Sequence, residues 1–314
     1  MVQFEDRPIV VAIDGTQEGL RALDYAVDEA ERNGCSLDLV HVVRAHPQLM
    51  SVVVAAEAET EMDLGSAALS AARERVLDRT TGIAVTQRLL KGSLRHELPH
   101  AAAGSRLLVL GRTPLTGIER LAAGSVGIPV IARATVPVVS VPCTWTGSDG
   151  GAIVAAVSDE SSAMLVLRAA FEEARATGVG VIAIRAVDRP ATWADDLPVP
   201  EYAGDLLKDA ERAFSAELAR WTGEFPDVDV EMKVTMTSPI HALLPAAGKA
   251  QLVVAASRRR GELLHPRLGS TARALLVHAP CPVLIVPAER PHLPPRLSLR
   301  AGVAQPGDAV APSY

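Results

Sequence analysis

Apolar residues in this chain fall into short unbroken runs, such as IVVAI at 9–13, LLVL at 107–110 and LVVAA at 252–256. Between the runs lie longer stretches in which apolar residues return every three or four positions. A short continuous run reads as a strand buried on both faces, and the three-and-four spacing reads as the apolar stripe of a helix. For the first half of the chain this predicts strands at 8–13, 37–43, 83–90, 106–110 and 137–141, with helices at 17–33, 54–79, 93–103 and 124–133. Leu20, Leu23, Val27 and Ala30 share one face of the first helix. Regular strand–helix alternation argues for an α/β fold made of open, doubly wound parallel sheets with helices on both faces.

The same pattern is written twice. PIVVAIDGTQEGLRALDYAVDEAERNG aligns with GAIVAAVSDESSAMLVLRAAFEEARATG at an offset of 144, placing Ile9 on Ile153 and Gly34 on Gly178. The helical stripe repeats as Met164, Leu167, Phe171 and Ala174. Further on the offset is 145: His96 falls on His241, Gly124-Ser125 on Gly269-Ser270, and Pro137 and Pro142 on Pro282 and Pro287. A period this long means a duplicated domain, because a solenoid repeats every few tens of residues. The expected units are therefore residues 1–143 and 150–288, joined by TWTGSDGG, whose Gly, Ser and Asp mark a boundary. Residues 289–314, rich in proline and small residues and without apolar periodicity, read as a disordered tail.

Composition then removes several function classes. A net charge of −6 disfavours broad nucleic-acid binding, and 3% aromatics leave little for base stacking. No apolar run approaches the roughly 20 residues of a membrane span, so no membrane partner is expected. The opening MVQFEDRPIVVAIDG carries acidic residues where a secretory signal would be basic, and the expected location is cytoplasmic. Cys35, Cys143 and Cys281 are widely spaced and form no CxxC or Cys/His cluster, which fits packing thiols and no metal. The nucleophile and metal motifs GxSxG, GxxxxGK[ST] and HExxH are absent, so no catalytic residue is assigned.

In an open parallel sheet a ligand collects beyond the carboxyl ends of the strands, where the strand order reverses. That directs attention to Asp14-Gly15-Thr16, to Val42 and Val43, and to the stretch 111–126. A Gly-Ser that opens a helix offers backbone N–H groups and the positive end of the helix dipole to a phosphate. Taken alone, Ser125 and Ser270 read more simply as N-caps. Asp14-Gly15 also has a simpler reading as a turn, and the matching His96 and His241 as packing or capping residues. His41, at the end of a core strand, reads first as structural.

VVAIDGT followed by an amphipathic helix, then SLDLVHVV, then LLVLGR with Gly-Ser thirteen residues after its glycine, and the closing IPVIARATVPVVSVP resemble the universal stress protein family. The resemblance covers about 7–142 and 152–287. It implies a strand order of 3-2-1-4-5 in each half, pairing of the halves through their last strands, and in many members ATP held by a glycine loop. That loop reads Gly, two residues, Gly, nine residues, then Gly followed by Ser or Thr. In repeat one the resemblance places Ala12, Asp14, Gly15, Val42, Gly111, Arg112, Gly124, Ser125 and Val126 about the ligand, with Asp14 on the adenine side and Val42 lining the adenine pocket. In repeat two it places Gly269, Ser270 and Thr271 there.

Several positions depart from that pattern. Pro114 replaces the middle glycine of repeat one, fixing φ and offering no N–H, while Arg112 beside it supplies charge. Repeat two has Ala256, Arg259, Ser158 and Ala186 where the first glycine, the middle glycine, the aspartate and the valine belong. The resemblance accordingly implies a stress-response sensor or adaptor that binds ATP or AMP mainly in repeat one, with Mg²⁺ only alongside ATP. Weak binding or none is expected in repeat two. A ligand-free interaction scaffold is the alternative, and a slow ATPase ranks behind it. Expected partners are an adenine nucleotide, an unidentified protein and the other half of the same chain, with room for a homodimer.

Overall fold

The computed structural model describes residues 7–44, 52–112, 127–147, 150–158, 160–187, 203–257 and 268–288. In the first half β1 (Ile9–Ala12), α1 (Gln17–Asn33), β2 (Leu37–Arg44), α2 (Val52–Arg79), β3 (Val85–Gly92), α3 (Leu94–Ala101), β4 (Leu107–Arg112), α4 (Gly127–Arg133) and β5 (Val138–Pro142) follow one another. The second half repeats the series as β6 (Ile153–Val157), α5 (Glu160–Thr177), β7 (Val181–Ala186), α6 (Ala203–Glu224), β8 (Val230–Thr235), α7 (Pro239–Ala247), β9 (Leu252–Ala256), α8 (Ser270–His278) and β10 (Val283–Val286).

Each half has the strand order 3-2-1-4-5, and every pairing inside a half is parallel. The two sheets expected from the sequence are joined. β5 pairs antiparallel with β10, Val283 opposite Ser140 and Ile285 opposite Val138, so ten strands form one sheet in the order β3-β2-β1-β4-β5-β10-β9-β6-β7-β8. Pairing satisfies the backbone groups that each last strand would otherwise present at an open edge.

Unbroken apolar runs are needed because helices cover both faces. Ile9 and Val11 pack to one side of the sheet with Leu23, Leu37, Leu167, Phe171 and Trp221, while Val10 between them packs to the other with Leu98, Leu108, Val130, Leu243 and Leu275. α1 starts at Thr16, whose hydroxyl accepts from Gly19 N–H at 3.1 Å, and ends at Gly34 with φ 63°. Gly178 ends α5 with φ 71°. Both glycines sit in the left-handed region that other residues enter only with strain, which explains why glycine occupies both copies.

Candidate functional site

The strand order of repeat one reverses between β1 and β4, and the carboxyl ends of these strands meet the first turn of α1. Asp14 is exposed there. Its Oδ1 accepts from the Thr16 backbone N–H at 2.9 Å and from the Thr16 hydroxyl at 2.6 Å. Gly15 follows with φ 78° and is exposed. Ala12, the last residue of β1, is half-buried, and Val42 near the end of β2 is buried against the core. The His41 ring bridges the two strands: Nδ1 lies 2.7 Å from the Ile13 carbonyl, which can only accept, so Nδ1 carries the proton.

Gly111 lies against α1. A β-carbon at this position would come within 2.6 Å of the Glu18 carbonyl oxygen and 3.0 Å of Gly19 N, so only glycine lets β4 approach the helix this closely. The glycine is therefore required by packing whether or not a ligand is present. Ala12, Asp14, Gly15, Val42 and Gly111 thus all lie at or near the carboxyl ends of β1, β2 and β4, with Gly111 on the α1 side of the sheet and Ala12 and Val42 on the other. Pro114, Gly124, Ser125 and Val126 lie outside the described residues, as does Arg259.

Arg112 is placed differently from the sequence expectation of a charge for the ligand. Its guanidinium reaches across to repeat two and donates from Nη1 to the carbonyls of Leu275 at 3.0 Å and Leu276 at 2.7 Å. From Nη2 it donates to Ala279 at 2.6 Å and Cys281 at 3.1 Å. Leu275 and Leu276 lie in the last turn of α8, Ala279 caps it and Cys281 follows in the turn before β10; the carbonyl end of a helix favours a cation. Burial lowers the guanidinium pKa to about 10, which still leaves the cation intact at neutral pH.

In repeat two the equivalent crevice is a cavity of about 180 Å³ lined by Ser158, Ile184, Ala186, Pro239, Leu243, Ala256, Gly269, Ser270 and Thr271. As bounded by the described residues it falls below the roughly 300–1,000 Å³ of ordinary small-molecule sites. Ser158 stands where repeat one has Asp14, and its hydroxyl lies 3.0 Å from that of Ser162. A neutral, locally paired hydroxyl thus replaces a carboxylate. Gly269, not Ser270, holds the N-cap position of α8, with φ −60° and ψ 160° and no side-chain cap. Ser270 is the first helical residue and is exposed, so the capping role considered for it is not the one it plays. His96 and His241 are both exposed on the first turns of α3 and α7, remote in sequence from the crevice residues. Among the described residues no three histidine, cysteine or acidic side chains cluster as a metal site. Nor is any helix long and apolar enough to cross a membrane.

The sequence pattern finds its counterpart in known proteins. The model of the universal stress protein family matches residues 6–142 and again 151–287. The chain belongs to the universal stress protein family. A universal stress protein of Mycolicibacterium smegmatis is 28% identical over 297 residues, covering 88% of this chain and 96% of that one. Universal stress protein Rv2005c of Mycobacterium tuberculosis is 26% identical over 294 residues, with the same two shares. Universal stress protein MT3220 of Mycobacterium tuberculosis is 30% identical over 257 residues, covering 82% of this chain and 91% of the relative. These relatives are covered nearly end to end. The crystal structure of a universal stress protein from Archaeoglobus fulgidus superposes with a TM-score of 0.63 over 91% of this chain and all of that one, at 17% identity, which shows a shared fold. The tandem universal stress protein fold thus accounts for the duplication and the strand order.

Proposed function

We propose that this universal stress protein binds an adenine nucleotide, ATP or AMP, in the crevice of repeat one and acts as a sensor or adaptor in a stress response. The observation that carries the reading is the position of Asp14. It is an exposed carboxylate held by two hydrogen bonds at the carboxyl end of β1, next to the close approach of Gly111 to the first turn of α1. A carboxylate accepts hydrogen bonds only, which suits the exocyclic amine of adenine, and an apolar wall such as Val42 suits the face of the base. Arg112 donates to carbonyls of repeat two, so neutralisation of the phosphates falls to backbone N–H groups and, for ATP, to Mg²⁺. In repeat two the carboxylate is replaced by a serine whose hydroxyl meets that of Ser162, which supports weak binding there or none.

Calorimetric titration of the full chain with ATP–Mg²⁺ and with AMP tests the reading. One site is expected, weakened at least tenfold by Asp14→Ala and unaffected by Ser270→Ala. Failure to bind either nucleotide at millimolar concentration, together with no adenine compound released on heating the purified protein, rejects it in favour of a ligand-free scaffold.

A further inference from the structure

Arg112 stands at a junction of the two halves. On its own side it is covalently next to Gly111, which rests on the first turn of α1, the same turn that Thr16 caps and Asp14 braces. On the far side its guanidinium takes four carbonyls, two in the last turn of α8, one at its C-cap and one at Cys281 just beyond. The Leu275 carbonyl also accepts the Ala279 N–H at 2.9 Å, so the last turn of that helix and the arginine share an acceptor. The opposite end of α8, Ser270 and Thr271, lines the cavity of repeat two. The helix is nine residues long, with Ala272, Leu275 and Leu276 buried. A continuous set of bonded and packed groups therefore runs from one crevice to the other.

Among the described residues the connection has no mirror image. The residue of repeat two that corresponds to Arg112 at the offset of 145 is Ser257. Its hydroxyl accepts from Ala288 N–H at 3.1 Å and its own N–H donates to Val286, both within repeat two. Repeat one holds the final helix of repeat two, and Ser257 makes no reciprocal reach.

We propose that Arg112 is a one-way strut that couples the crevice of repeat one to α8, so that a disturbance or a ligand at the first changes the stability of the second. The ligand arm of this inference rests on the nucleotide reading above, while the mechanical arm does not. A physical path becomes a coupling only when perturbing one end is shown to move the other. The perturbation is available at Gly111, where an added methyl must displace the α1 backbone.

Hydrogen exchange on the full chain, read for the amides of α8 and for β6 as a control, tests the strut. Arg112→Met keeps bulk and removes the donors. It is expected to speed exchange at Leu275–Ala279 about tenfold with β6 unchanged, and Arg112→Lys, which cannot fork over four carbonyls, to fall between. Gly111→Ala is expected to speed α8 exchange several-fold in the wild-type background and to add nothing on top of Arg112→Met. Equal effects of Gly111→Ala in both backgrounds, or none in either, overturn the proposal. Should Arg112→Met fail to fold, Arg112→Lys carries the same comparison with a reduced, not absent, response to Gly111→Ala. With ATP–Mg²⁺ as probe, protection of α8 in the wild type and its loss in the arginine variant support the strut, and binding that leaves α8 unchanged overturns it. If ATP does not bind, the nucleotide reading fails and the Gly111 comparison alone decides.

Discussion

Thr16 does two jobs with one side chain. Its hydroxyl accepts from Gly19 N–H to start α1 and donates to Asp14 Oδ1, so the cap of the helix and the orientation of the carboxylate are a single arrangement. Removing an N-cap hydroxyl typically costs about 1 kcal/mol. Thr16→Ala should therefore lower unfolding stability by about that amount in urea titrations and also weaken nucleotide binding, because Asp14 loses the hydroxyl bond and is left with the backbone N–H alone. Thr16→Ser should restore both. A loss of stability with nucleotide affinity unchanged would separate the two jobs and show that Asp14 is oriented by other groups. Asp14, Gly15 and Thr16 were legible in the sequence as a turn at the right end of a strand. The hydrogen bonds that make the turn a platform depend on a side-chain rotamer, which residue order does not fix.

At the scale of elements, α1 is held to α2 by charge as well as by apolar packing. Arg75 grips Asp24 with Nε and Nη2, both at 2.8 Å, and Arg79 adds a contact at 3.1 Å before reaching Asp28 at 2.6 Å. Burial raises the Asp24 pKa, but the hydrogen bonds and charges of Arg75 and Arg79 outweigh it and leave the carboxyl below its ordinary value. A carboxylate depressed in the folded state stabilises above the unfolded pKa and loses that contribution as pH falls through the folded one. Asp24→Asn should thus destabilise the protein at pH 7 by about 1–3 kcal/mol and by less at pH 3, as measured by urea unfolding. An equal loss at both pH values would assign the effect to packing. Sequence reading placed α1 at 17–33, where it is found, because a threonine cap and a left-handed glycine bracket an apolar stripe. β3 came out at 85–92 in place of 83–90, since an edge strand with exposed Thr86, Gln87 and Lys91 gives no unbroken apolar run to fix its ends.

For the whole molecule the consequential surface is the one between the halves. Arg112 bonds to residues more than 160 positions away, and no local pattern could have announced that. Near the same boundary the duplication sets Glu29 against its counterpart Glu173. Glu29 is buried and paired with Arg32 at 2.5 Å and Asn33 at 2.6 Å, and Asn33 in turn accepts from Arg106. The positions matching Arg32 and Asn33 in repeat two are Ala176 and Thr177, and Thr177 accepts from Gln251 in place of the arginine. Among the described residues no arginine or lysine of its own repeat forms an ion pair with Glu173. Desolvation between the helices and the charge of Glu29 raise its pKa to about 8, against the opposing pull of Arg32 and Arg106. An acid whose folded pKa is raised favours the folded state below the unfolded value, and that contribution is lost as pH climbs through the folded one. Unfolding stability should accordingly fall between about pH 4.5 and pH 8. Glu173→Gln should flatten this slope and gain about 1–2 kcal/mol at pH 8, a figure discounted because solvent reaches part of the residue. A wild-type slope that survives Glu173→Gln would place the titrating group elsewhere.

The antiparallel seam of β5 and β10 sets two copies of one fold around an approximate two-fold axis. Were those copies separate identical molecules, every mutation would strike both partners at once, and an arginine could not face a serine, nor a neutralised glutamate an orphaned one. Because one polypeptide carries both, each side is free to specialise alone. Inheritance in tandem has turned a symmetric handshake into a joint with a giving and a receiving hand.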